Sequence, residues 1–325
     1  MIDNFLIVAQ QVAVLFVLMG FGAVMRKAGF FKENAIDGIV NVLILVVTPC
    51  LIVDVFQRPF DSSMLKGLGL AFLIAVLVHV VLILLAKASV HHRNEDIRRP
   101  LRLAAVFSNA GFMGIPLEQA VLGDVGVFYG IVYVVVFNLF MWSWGYHIMK
   151  SEEYKVISKA KGRRKVFHFS LFTLHSVVNP GTVGIVLGAP LFFLSMRLPV
   201  VIGVPVHHMA NLNTPLAMIV IGYALVGAEF GKVVRTGAVY VATLVRLVAC
   251  PLLVIAALYP FRHALDRNMM LAMAVAASAP VAAMVSMFAQ KFGRDVDVSV
   301  AVVSGTTLLS ILTMPVVIAL AMGVL

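Results

Sequence analysis

The chain has 325 residues, of which 62% are hydrophobic and only 12% charged. Soluble domains run nearer half apolar and a quarter charged, so a water-soluble enzyme, a disordered protein and a nucleic-acid binder are excluded. The formal net charge of +10 then has to be located before it is interpreted, because membrane proteins concentrate lysine and arginine in their cytoplasmic loops.

Hydropathy divides the chain into ten apolar stretches, at 5–25, 36–56, 66–86, 100–122, 127–148, 176–196, 205–227, 236–259, 268–290 and 297–324. Each is long enough for a membrane-spanning helix, and none has the period of two that a barrel strand carries. The expected fold is an all-α polytopic membrane protein of ten transmembrane helices. The first stretch is too long for a signal core and lacks a small-residue cleavage site after it, so it reads as the first span.

The basic residues follow these spans. The loops after spans 1, 3, 5, 7 and 9 hold nineteen of them, and the loops after spans 2, 4, 6 and 8 hold five: Arg58, Lys66, Arg197, Arg262 and Arg267. That asymmetry places the odd loops in the cytoplasm and both termini outside, in the cytoplasmic membrane. Anionic lipid is a sufficient partner for the excess charge, and no nucleic acid is called for. The remaining basic residue, Arg246, falls inside span 8.

The longest polar stretch, 149–175, reads as a cytoplasmic linker between a first five-helix unit (1–148) and a second (176–325). Five spans on each side give the two units opposite orientations. The prolines agree: Thr48-Pro49 in span 2 answers Thr214-Pro215 in span 7, and Pro116 in span 4 answers Pro280 in span 9. Inverted repeats with interrupted helices are a mark of secondary transporters, whose sites lie near mid-membrane.

Span 4 carries the densest break signal, Ser108-Asn109-Ala110-Gly111-Phe112-Met113-Gly114-Ile115-Pro116. Proline removes a backbone donor, and the glycines ease departure from helical geometry. Backbone groups freed at this depth must face protein or a wet cavity. Span 9 has Ser278-Ala279-Pro280 without glycines, which predicts a milder break. If the two breaks cross, amino-terminal half-helix ends near Pro116 and Pro280 favour an anion, and carboxyl-terminal ends near Asn109 and Ser278 favour a proton or cation.

Other intramembrane polar residues admit two readings each. Arg246 is either an electrostatic partner for substrate or a structural contact to helix-end carbonyls. Asp54 in span 2 and His79 in span 3 are candidates for proton or cation coupling, against a boundary residue and a packing histidine. Asn211 and Asn213, entering span 7 before Thr214, can line a polar path, as can Thr48. His207-His208 and His91-His92 lack acidic or cysteine ligands at useful spacing, so neither a metal site nor a cofactor is expected.

FSNAGFMGIPLEQAVLGDVGVFYGI (107–131) resembles the span 4–5 region of the auxin efflux carrier family, the bacterial relatives of plant PIN-type carriers. NVLILVVTPCLI (41–52), NTPLAMIVIGYAL (213–225) and ASAPVAAMVSMFAQKFGRD (277–295) resemble that family's second, seventh and ninth spans. The resemblance implies two inverted five-helix repeats, a substrate site where broken spans 4 and 9 cross, elevator-type alternating access and a small organic anion, such as a carboxylate, as substrate. The plant carriers have a second asparagine where this chain has Phe112-Met113, which argues against auxin itself.

The leading expectation is a non-enzymatic secondary carrier, with a sodium- or proton-coupled symporter or antiporter of related crossover fold as the alternative. An intramembrane enzyme would need a nucleophile–base pair or paired acids at mid-membrane, and none is legible. A sensor would carry a signalling domain, and a pump a phosphate-binding glycine-rich loop. Import or export, the coupling ion and homodimer formation stay open at this point.

Overall fold

The computed structural model describes residues 2–31, 33–150, 180–226 and 236–325. The expected linker at 149–175 lies almost wholly outside the described residues. The described chain is helical, with no strand and one isolated antiparallel bridge between Ser108 and Val281.

In chain order, α1 spans Ile2–Lys27, α2 Glu33–Val42, α3 Thr48–Phe56 and α4 Ser62–Ser89. Then come α5 at Glu95–Val106, α6 at Ile115–Phe140 and the short α7 at Tyr146–Met149. Beyond the linker, α8 spans Pro180–Phe193, α9 Val200–Asn211, α10 Asn213–Val226, α11 Gly237–Leu244 and α12 Cys250–Leu258. The last three are α13 at Arg267–Ser278, α14 at Met284–Lys291 and α15 at Val296–Val324. Single π-turns at Leu43–Val47, Met141–Gly145 and Val245–Ala249 join consecutive helices without a loop, and a fourth at Ala110–Gly114 runs directly into α6 after a break at 107–109. Such turns cluster at functional sites, and two of these flank the residues discussed below.

Seven stretches among the described residues are long and apolar enough to cross a membrane, where the sequence suggested ten. The difference has three causes. The fourth and ninth expected spans are broken into pieces of 12 residues or fewer on one or both sides of the interruption. In the expected sixth span the described helix, Pro180–Phe193, is only 14 residues long. The run Ala110–Met149 counts as one stretch of 40 residues, but Gly123 (φ 66°, ψ −159°) turns the chain within it. That left-handed φ is open to glycine at little cost, so a hairpin is made there without a loop. The expected seventh span also starts earlier than hydropathy suggested, at Val200, which puts His207 and His208 inside α9.

The loops sort onto two ends. At one end Arg294 Nη1 meets Asp96 Oδ1 at 2.5 Å and its Nε donates to Met149 O at 2.9 Å, while Arg99 Nη1 donates to Ile148 O at 3.1 Å. Those bonds gather the segments after α4, α7 and α14, three of the lysine- and arginine-rich loops. At the other end Arg58 Nη2 donates to Asp124 O (3.2 Å), Phe60 N to Ser195 Oγ (2.8 Å) and Leu198 N to Gln57 Oε1 (2.9 Å).

The helices pack reciprocally: α1 against α10, and α8 against α3. Both crossings rely on small residues, which let backbones approach closely in membranes. A Cβ on Gly22 would lie 2.0 Å from Ile219 O, and one on Gly222 1.8 Å from Met19 O. Since the obstacle is rigid backbone, Gly222→Ala is expected to force α1 and α10 apart. The loss is about 1–3 kcal/mol, as for other overpacked interiors, read as a lowered thermal midpoint in detergent. An unchanged midpoint would show that the two helices do not touch at this crossing.

Candidate functional site

Two helix interruptions meet face to face. α5 ends at Val106, and residues 107–109 are extended or irregular before the π-turn begins. α13 ends at Ser278, and residues 279–283 separate it from α14. The two segments exchange backbone bonds in antiparallel register: Asn109 N donates to Pro280 O at 2.6 Å, and Ala282 N donates to Phe107 O at 2.9 Å. Val281 N finds a third partner, the Thr306 hydroxyl of α15, at 3.1 Å. Buried backbone groups need such partners, and here each break supplies them for the other.

The break at Pro280 is not the milder one expected from its lack of glycines. Ala279 is fully extended (ψ 146°), and the helix stays open for longer than at Asn109. Proline disfavours helical geometry in the residue before it, and the neighbouring segment takes up the freed amides, so glycine is not required.

Asn109 is placed differently from the sequence expectation. It begins the second half-helix instead of ending the first, because its carbonyl accepts from Met113 N (2.9 Å) and Gly114 N (3.2 Å). Its side chain makes no capping bond and is 6% exposed. Gly111 is exposed, whereas Gly114 is buried with the Ala276 backbone beside it. Pro116 occupies the first turn of α6, directly after the π-turn, where it offers no N–H to the carbonyls of that turn. Ser278 is buried, and its hydroxyl donates back to Val275 O at 2.8 Å.

The carboxyl-terminal ends of both incoming half-helices converge on Arg246. Its Nη1 donates to Val106 O at 2.7 Å and its Nη2 to Ala277 O at 2.6 Å, with Cys250 Sγ also 2.6 Å from Nη2. The side chain is 0% exposed. A permanent cation thus sits where two sets of orphan carbonyls carry partial negative charge. Of the two readings held for Arg246, this geometry is that of the helix-end contact.

A small cavity of about 110 Å³, walled by polar residues and by Leu51, Val55 and Ala210, lies beside the second half-helix. It is lined by Asp54 of α3, Ile115 and Gln119 of α6, Asp124, His207 and Asn211 of α9, and Asn213 and Thr214 of α10. Four residues singled out in the sequence, Asp54, Asn211, Asn213 and Thr214, are therefore brought together. Asp54 Oδ2 meets His207 Nδ1 at 2.9 Å, and His207 Nε2 lies 3.1 Å from Asn211 Nδ2. Gln119 Nε2 donates to Asp124 Oδ1 at 3.0 Å. The sequence offered no acidic neighbour for His207, because its partner is 153 residues away.

Thr48 stands apart from the cavity lining, its hydroxyl closing the adjacent π-turn onto Leu43 O at 2.9 Å. His79 is 0% exposed, bonds Ala75 O at 2.8 Å and stacks on Phe140 with ring centroids 5.2 Å apart. Sequence reasoning passed over Gln119, Asp124, His207 and Thr306. Glu118 was missed as well, although a lone acid in an apolar run was there to be noticed.

A helical membrane protein with two interrupted helices bonded to each other and a partly polar cavity alongside has the build of a membrane transporter. A family model described as membrane transport protein matches residues 7–318. The match covers nearly the whole chain, which therefore belongs to this family, that of the auxin efflux carriers. Among curated proteins no sequence matches it.

Proposed function

We propose that this chain is a secondary active carrier of a small organic anion, a carboxylate, across the cytoplasmic membrane. In this reading ten membrane-crossing segments form two inverted five-helix repeats, 1–148 and 176–325, and the pair of broken segments moves elevator-fashion against the rest. One observation carries it: the antiparallel exchange of backbone bonds between the breaks at 107–109 and 279–283. Helices interrupted at mid-span and paired in this way leave amino-terminal dipole ends for an anion without requiring a full set of charged side chains. The reciprocal packing of α1 on α10 and α8 on α3 supports the repeat, since an inverted duplication exchanges those pairs.

Asn109, Gly111, Gly114, Pro116, Ser278 and Pro280 form the anion site in this proposal. Asp54, Asn211, Asn213 and Thr214 line the polar path leading to it, and Thr48 shapes the start of α3. A cavity of this volume holds roughly three or four waters, at about 30 Å³ of liquid each. The excess of basic residues in the odd loops supports termini that face outward.

The test uses purified protein in liposomes with radiolabelled malonate as the probe. Saturable uptake driven by a gradient, with no nucleotide present, is the expected result. Absence of uptake for malonate and for a panel of mono- and dicarboxylates, together with no ligand-dependent rise in melting temperature, would overturn the proposal.

A further inference from the structure

The half-helix that starts at the crossing carries a buried acid. Glu118 lies in the first turn of α6 and is 1% exposed, and neither carboxyl oxygen has a hydrogen-bond partner. Its place is kept by Gly130, on the other side of the Gly123 turn: a Cβ there would fall 1.7 Å from Glu118 Oε2. The hairpin is therefore cut to the shape of this carboxyl group while offering it nothing to bond.

Ionisable groups on the elements packed against α6 are engaged elsewhere or face outward. Asp54 on α3 meets His207, His79 on α4 bonds Ala75 O, Arg26 on α1 donates to Tyr223 O, and Arg267 on α13 donates to Met322 O. Lys66 on α4 is exposed. None of them bonds to Glu118.

We propose that Glu118 is the proton-binding site of the carrier and that the proton travels with the anion, making it a proton–anion symporter. The proposal rests on the carrier reading above. An enclosed carboxylate without a counter-charge or donor costs several kcal/mol, whereas the acid form costs only the desolvation of a neutral polar group. Glu118 therefore enters this conformation with its proton. An anion at the amino end of the same half-helix, at Asn109, lies nine residues away, about 13 Å along the axis. Two negative charges at that separation repel, so anion binding favours the proton and the proton favours the anion by equal factors. Only one O–H bond forms and breaks: the proton is taken from water on one side of the membrane and released to water on the other.

The experiment compares wild type and Glu118→Gln in liposomes with radiolabelled malonate. With the membrane potential clamped at zero, a gradient of about one pH unit supports about a tenfold accumulation at one proton per anion. Wild type is expected to accumulate malonate on an acid outside, and Glu118→Gln to lose that accumulation while keeping malonate exchange at equal pH. Infrared spectra of the purified protein supply a readout independent of transport: a carboxylic-acid carbonyl band, present in wild type and absent in Glu118→Gln. If the glutamine variant does not fold, Gly130→Ala, which displaces the carboxyl group, is expected to shift the same band. Accumulation retained in Glu118→Gln, or a band unchanged by both variants, overturns the assignment. Failure of the wild type to move malonate would instead count against the carrier reading, and the band would still decide the protonation of Glu118.

Discussion

Arg246→Ala is expected to destabilise the protein by about 3–5 kcal/mol, the range for removing one side of a buried charged contact. The loss should appear as a large drop in thermal midpoint and in folded yield. The guanidinium spans the last turns of two half-helices that are far apart in sequence, α5 and α13, through Val106 O and Ala277 O. Without it Val106 O loses its donor and Ala277 O keeps only the weak Cys250 thiol at 3.8 Å, in a place water does not reach, at a cost of about 1–3 kcal/mol for an unpaired carbonyl. Arg246→Lys should fall between wild type and alanine: an ammonium keeps the charge but lacks the planar fork that reaches two acceptors at once. Direct recognition of the anion by Arg246 gives the opposite pattern, a weakened affinity with an unchanged midpoint, and that result would refute the helix-end role.

The same residue marks where sequence reading reaches its limit. Its depth in span 8 was evident from hydropathy, and its two possible roles could be framed, but the choice depends on carbonyls 140 and 31 residues away. Membrane helices are legible because every span must satisfy its own backbone, and interruptions are legible where proline and glycine violate that rule, as at Asn109–Pro116. The break at Pro280 was underestimated for the same reason. Its amides are satisfied by Phe107 O and Thr306 Oγ1, partners that local composition does not reveal. Hydropathy does place a boundary at the Gly123 turn, between the stretches ending at 122 and starting at 127; what it does not show is that a single glycine with positive φ makes the reversal without a loop. Asp54 drew attention as an isolated acid, yet its partner His207 was set aside for lack of a neighbour in sequence. Glu118 went unremarked because an acid beside Gln119 resembles the polar end of a helix, and only the closure of α6 upon itself encloses it.

Asn109→Ala and Pro116→Ala should each abolish anion transport at substrate concentrations near the wild-type KM while leaving insertion and folding intact. For Asn109 the argument turns on separating backbone from side chain. The bonds that join the two breaks run through its N–H and carbonyl, which alanine retains. The carboxamide makes no capping bond and stands at the amino end of a half-helix, where a donor meets an anion in a favourable field. Losing one hydrogen bond to a charged group costs about 1.5–3 kcal/mol, or roughly ten- to a hundredfold in affinity. For Pro116 the change adds a bond. Alanine restores an N–H that can close onto a carbonyl of the preceding π-turn, drawing Ala110–Gly114 toward regular helix and away from the geometry that opens toward Pro280. Stability should hold or rise slightly as transport falls, and a thermal-shift measurement beside the uptake assay separates the two. Wild-type transport rates in both variants would remove the crossing from the substrate's path.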